Sequence, residues 1–159
     1  MDQLDQKVLI AFDDSENATR AVSFVARLFS TQTHVTLFNV AQDTAVLCEM
    51  NSPELTPYFI AQQSHFCVLE DKKKKIVDQA MDNAVKILLD AGFDRQRIAL
   101  KIEMKKKGVA RDIVNKARSG HDIIILGRRG VSGIRDFLLG SVSQKVFQLA
   151  KDLSVLVVN

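Results

Sequence analysis

Between Asp122 and Gly127 the chain carries Ile123-Ile124-Ile125-Leu126 and no polar side chain. Side chains of a strand alternate between two faces, so an all-aliphatic strand cannot leave either face in water. Lys7-Val8-Leu9-Ile10-Ala11-Phe12 and Ser154-Val155-Leu156-Val157-Val158 read the same way, and Val35–Val40 supplies another strand. Ile98–Met104 alternates apolar with polar or small residues, the pattern of a strand with one exposed face. Between these runs the apolar spacing changes to about 3.6 residues. After Asp13-Asp14-Ser15, in which the serine or one of the aspartates can cap a helix, come Ala18, Ala21, Val22, Val25, Ala26, Leu28 and Phe29. A long helical region runs from about Tyr58 to Ala91, with Ile76, Val77, Ala80, Ala84, Leu88 and Ala91 as its stripe and Gly92 as its stop. Its Glu70–Lys75 run is either a solvated face or a break. Val109, Ile113, Val114 and Ala117 mark a helix between Gly108 and Gly120, and Val142, Val146, Leu149 and Ala150 mark one over Gly140–Ala150. Five strands alternating with four helical segments predict an α/β fold. It is a single doubly wound, five-stranded parallel sheet with helices on both faces, Rossmann-like and occupying 1–159 as one domain.

Composition narrows the function classes. With 47% hydrophobic and 26% charged residues, the chain is globular rather than disordered. A net charge of +3 is too small to argue nucleic-acid binding from charge alone, and no such partner is expected. The Lys72–Lys75 and Lys105–Lys107 runs lack interleaved aromatics and read as solvated surface. Met1–Gln6 is polar and acidic, unlike a secretory signal, and no apolar run is long enough to span a membrane. The expected location is therefore cytoplasmic. Cys48 and Cys67 have no Cys-x-x-Cys spacing, and His34, His65 and His121 are scattered. Two reduced thiols are expected, with neither a disulfide framework nor a zinc site, and no catalytic or metal-ligating set is assigned. Residues 41–57, with Pro53 and Pro57, form an irregular stretch long enough to suggest a functional loop.

The chemistry-bearing pattern is Gly127-x2-Gly130-x9-Gly140-Ser141. Glycines let backbone approach a ligand without an intervening side chain, and the N–H groups at a helix start favour a phosphate. No Gly-Lys-Ser/Thr follows, so this is not a Walker loop. Nor is it the dinucleotide fingerprint, since Asp13-Asp14-Ser15 after the first strand contains no glycine. Strand one ends at Asp13 and strand four at Gly127. If they are neighbours where the strand order reverses, the acid and the glycine turn share one crevice.

This arrangement resembles the universal stress protein family, in its ATP-binding branch. The resemblance covers essentially the whole chain. It is carried by the aspartate ending the first strand, Gly127-Arg128-Arg129-Gly130, Ser132-Gly133, Leu138-Leu139-Gly140-Ser141-Val142-Ser143 and the closing Val155–Val158 strand. It implies an adenine nucleotide alpha hydrolase-like fold and ATP, with Mg, as ligand. Ala11, Phe12 and Asp13 would line the ribose and adenine side, and main chain of Val40 or Ala41 would meet the adenine edge. Leu126, Gly127, Arg129 and Gly130 would wrap ribose and phosphates, while Gly140, Ser141, Val142 and Ser143 would donate to the phosphate chain. The implied role is that of an ATP-binding stress-response regulator. It would act as a homodimer through Ser154–Val158, with an unidentified protein partner; by its length and position alone, the 41–57 loop is the candidate element for reporting occupancy. A slow ATP hydrolase and a nucleotide-free interaction module on the same fold are the alternatives.

Overall fold

The structure, a computed structural model, describes residues 5–42, 44, 48–49, 56–129 and 139–159. Five strands appear: β1 (Lys7–Ala11), β2 (His34–Ala41), β3 (Ile98–Met104), β4 (Ile123–Gly127) and β5 (Ser154–Val158). The helices are α1 (Glu16–Leu28), α2 (Pro57–Asp90), α3 (Val109–Arg118) and α4 (Ser141–Leu149), with a short 3-10 turn at Arg95–Arg97. All strands are parallel, in the order β3-β2-β1-β4-β5. The chain begins in the middle, builds outward to β3, then crosses back to lay β4 on the other side of β1. That reversal puts the switch point between β1 and β4, with Ala11 beside Leu126.

Both faces of the sheet are covered, as its aliphatic strands require. Val8, Ile10, Leu37 and Ile125 pack against Ala21, Val22 and Val25 of α1 and Met81 and Leu88 of α2. Leu9, Phe38, Ile124 and Leu126 face the opposite way, onto Ile113 and Val114 of α3 and Val146 of α4. Adjacent residues of β1 thus serve two separate cores. The edges are less covered: Ile98 is buried, but Ile102 and Met104 near the end of β3 are half-exposed. Among the described residues β5 pairs only with β4.

Local signals account for the helix starts. Ser15 accepts the Ala18 N–H at 3.1 Å and caps α1, which buries Ala18, Ala21, Val22 and Val25. Leu28, expected on that stripe, lies 60% exposed at the last position, whereas Phe29 beyond it packs partly against the core. Thr56 caps α2, with Pro57 at its start.

Around α2 one open alternative is settled and two expectations need correction. The helix is continuous over 34 residues, so Glu70–Lys75 is a solvated face and not a break. At 1.5 Å per residue it is about 50 Å long, roughly twice the length of an eight-residue strand. Its first half therefore overruns the sheet, and only Met81, Ala84, Val85 and Leu88 are buried. Ile76, assigned to the apolar stripe, is half-exposed because it still precedes the buried stretch that starts at Met81. Finally, Cys48 and Cys67 are joined in a disulfide, with Cα atoms 5.8 Å apart, rather than being two free thiols. The bond fastens the residues after β2 to the third turn of α2, a proximity that no sequence spacing revealed. Most of the 41–57 stretch lies outside the described residues, although Cys48 and Glu49 are helical. No helix among the described residues is long and apolar enough to cross a membrane.

His121 follows α3 and sets its Nε2 3.0 Å from the Thr36 hydroxyl. Burial pushes its pKa below the ordinary 6.5; the backbone of Lys116 and Ala117 opposes this, and the charges of Lys116 and Lys7 reinforce it. The unfolded chain then binds a proton more readily than the native one, so stability falls as pH drops below 6.5. Chemical denaturation across this range should show that decline, and His121→Gln should flatten it.

Candidate functional site

The carboxyl ends of β1 and β4 meet at the switch point, and hydrogen bonds fix how each leaves the sheet. The Phe12 N–H donates to the Phe38 carbonyl at 2.8 Å, and the Phe12 carbonyl accepts from Asn39 Nδ2 at 2.9 Å. Asn39 is buried in a strand that is otherwise largely apolar, and it steers the chain toward Asp13. Half-buried Asp13 accepts from both the amide and the hydroxyl of Ser15, which is itself the α1 cap. One carboxylate oxygen is engaged in organising the turn.

On the β4 side, a Cβ at Gly127 would stand 2.6 Å from the backbone carbon of Asn17. The first turn of α1 therefore rests directly on the end of β4. The Ser143 hydroxyl donates to the Gly127 carbonyl at 3.0 Å, and the Gly140 N–H donates to the Arg128 carbonyl at 2.9 Å. These two bonds bring the start of α4 back onto the end of β4. The first helical bond of α4 runs from the Gln144 N–H to the Gly140 carbonyl, and Gly140 supplies no side-chain cap. Among the described residues, the amides of Ser141, Val142 and Ser143 are thus the ones left at the helix mouth.

The other sequence-selected residues fall as follows. Ala11 ends β1, and buried Leu126 pairs with it across the switch. Val40 and Ala41 end β2, one strand beyond β1 from β4, so about 10 Å separates them from the β4 end. The Ala41 carbonyl already accepts the Lys105 N–H at 2.8 Å. Arg129 is half-buried beside the Gly127 turn, and Gly130, with Ser132 and Gly133, lies outside the described residues. Among the described residues, no cluster of three His, Cys, Asp or Glu side chains is placed to hold a metal ion. Asp13 and Asp14 are the carboxylates at the end of β1.

Sequence reasoning overlooked two groups. Asn39 is one; its signal was a lone amide inside a run of strand formers. The other lines a cavity of about 260 Å³ between the first turns of α3 and α4, where Lys107 and Arg111 face Ser141, Val142 and Lys145. Gly108 starts α3 with φ 121°, a conformation that favours glycine. Asp112 fixes the approach to that turn by accepting the N–H groups of Lys106 and Lys107 at 2.8 and 3.1 Å. Burial raises its carboxyl pKa, but the backbone amides of Lys106, Lys107 and Gly108 outweigh burial and hold it below the ordinary value.

With this geometry in view, comparison with known proteins is decisive for the family. The family model described as "Universal stress protein family" matches residues 6–159. The chain belongs to the universal stress protein family. It is 27% identical over 146 residues to Universal stress protein YxiE of Bacillus subtilis, covering 91% of this chain and 93% of that relative. Among solved structures, universal stress protein UspA from Lactobacillus plantarum superposes with a TM-score of 0.66 at 22% identity, covering 98% of each chain. A universal stress protein solved in complex with cAMP has a TM-score of 0.58 at 20% identity, covering 97% of this chain and 96% of that one. These structural likenesses establish the five-stranded parallel α/β fold.

The role of Asn39 in aiming the β1–α1 turn is testable. Asn39→Leu leaves the Phe12 carbonyl buried without its partner and should destabilise the protein by about 1–3 kcal/mol, read from urea denaturation.

Proposed function

We propose that this universal stress protein binds ATP with Mg at the β1/β4 switch point and acts as a regulatory homodimer in the cytoplasm. The observation that carries the reading is the mouth of α4. Among the described residues, three backbone amides are left without helical partners there, and the helix start is tied to β4 by the Ser143–Gly127 and Gly140–Arg128 bonds. Such an array carries partial positive charge and is complementary to a phosphate. The Gly140 amide and the Ser143 hydroxyl are engaged internally, so the donors assigned to phosphate are the amides of Ser141, Val142 and Ser143 and the Ser141 hydroxyl. Asp13 is assigned to the ribose through its remaining carboxylate oxygen. The ends of β2 and β4 are separated by a length comparable to an adenosine, which suits an adenine laid toward Val40 and Ala41. The cAMP complex of a structural relative supports a nucleotide ligand on this fold.

Magnesium is commonly held through substrate phosphates with one or two carboxylates. In this reading Asp14 would supply that carboxylate, Asp13 being committed to Ser15 and the ribose, and the ion would neutralise phosphate charge. A cytoplasmic location also gives the Cys48–Cys67 pair a meaning: disulfides there are usually transient or redox-sensing rather than structural staples.

Ser141→Asp tests the phosphate site. An acid in the first turn of α4 suits the helix dipole, so folding is retained, while its charge opposes a phosphate at the same amides. Calorimetric titration with MgATP should show binding to the native protein and an affinity about tenfold or more lower in the variant, a difference of roughly 1.4 kcal/mol. Equal affinities would overturn the assignment.

Dimerisation is assigned to β5, an apolar edge strand of the kind that pairs with another chain. Sedimentation equilibrium at micromolar concentration should report twice the mass of the chain. A monomer there removes the dimer from this reading.

A further inference from the structure

We infer that Lys107, Arg111 and Lys145 form a charge-selecting wall that takes the terminal phosphates of a nucleoside triphosphate and makes the site discriminate against cyclic monophosphates. The inference rests on the nucleotide reading above and assigns the specificity of that same site.

The cavity of about 260 Å³ has two walls. One is built by Lys107, Gly108 and Arg111 at the start of α3, the other by Ser141, Val142 and Lys145 at the start of α4. Ser141 and Val142 are the residues whose amides are assigned to phosphate, so the cavity continues from that end of the site. It is below the range usual for drug-sized ligands, roughly 300 Å³ upward, and suits a phosphate pair rather than a whole nucleotide.

The charges point the same way. Lys107 immediately precedes the cap Gly108 and Arg111 is the third residue of α3, while Lys145 lies four residues after Ser141 on the same side of α4, so the cations gather around the two helix starts. Among the described residues, none of the three forms an ion pair with a carboxylate. Nearby Lys106 and Lys116 pair with Glu103, and Arg118 pairs with Asp152. Asp112, the acid on the first turn of α3, spends its oxygens on the amides of Lys106 and Lys107. Three like charges around one cavity repel each other, and a polyanion relieves that repulsion. A cyclic monophosphate brings a single negative charge, satisfied by the amides of α4 alone. A triphosphate brings several and reaches beyond those amides.

The test compares the native protein with a Lys107→Gln/Arg111→Gln/Lys145→Gln variant by calorimetric titration with MgATP, ADP, AMP and cyclic AMP. All three side chains are exposed, so the variant folds, and circular dichroism checks this. The variant should lose about tenfold or more in ATP affinity, the joint effect of three solvent-exposed cations. The loss should be smaller for ADP and absent for AMP and cyclic AMP. Affinity for ATP should also fall less steeply with added salt than in the native protein. Lys107→Arg with Lys145→Arg should keep native ATP affinity. Equal losses for all four ligands, or none, would overturn the wall while leaving the nucleotide reading intact. Absence of nucleotide binding by the native protein would sink both.

Discussion

The contact that organises this molecule is the one between the backbone of Asn17 and the bare Cα of Gly127. A side chain at that position would overlap the first turn of α1, so the helix sits against the end of β4 only because nothing projects there. Several features follow from that approach. The turn between β1 and α1, with Asp13 and its Ser15 partner, is held over the same end of the sheet as the turn leaving β4. The Gly127 carbonyl, on the same residue, accepts the Ser143 hydroxyl and draws α4 into place. One residue thus connects three elements, and the crevice between β1 and β4 owes its width to their closeness.

The central strands β1, β2 and β4 were legible in the amino-acid sequence because their middles are buried on both faces, where pattern and structure coincide. The same logic identified α1 and α3, whose length matches the sheet they cover. It failed for α2 because periodicity reports which face is apolar, not how far the neighbouring surface extends. A helix of about 50 Å set on strands half as long has a free half whatever its pattern. The Cys48–Cys67 bond was illegible for a related reason. It depends on where the end of that overrunning helix lies in space, and this cannot be read from a separation of 19 residues.

At the candidate site, composition and spacing pointed to a region but not to the division of labour within it. Glycines and serines at 127 and 140–143 marked the end of the sheet that is proposed to take a phosphate. Which groups remain available is a matter of three-dimensional accounting. The Gly140 amide and the Ser143 hydroxyl are used to close the turn, and the amides of Ser141, Val142 and Ser143 are not. Asn39 and the Lys107–Arg111 wall were missed because neither lies within the glycine motif. A buried amide on one strand and a lysine before a distant helix become part of the site only through the β3-β2-β1-β4-β5 order. That order brings the start of α3 beside the start of α4.

This separation bears on how specificity is distributed in such a protein. Backbone amides at a helix mouth are set by the fold and present much the same partial charge to any phosphate, so a glycine turn recognises a chemical class and little more. Discrimination within the class has to come from groups that the fold leaves free to vary. Here those are side chains on the exposed first turns of α3 and α4, where substitution costs little stability because the helices are anchored by Ile113, Val114 and Val146 on their buried faces. Full side-chain charges reach farther than amide dipoles, whose effect fades within a turn of the helix end. In the proposed reading the amides hold the first phosphate they meet, and the cations set how many more are welcome. Ligand choice can change along this rim while the sheet, the Gly127 contact and the α4 mouth stay as they are.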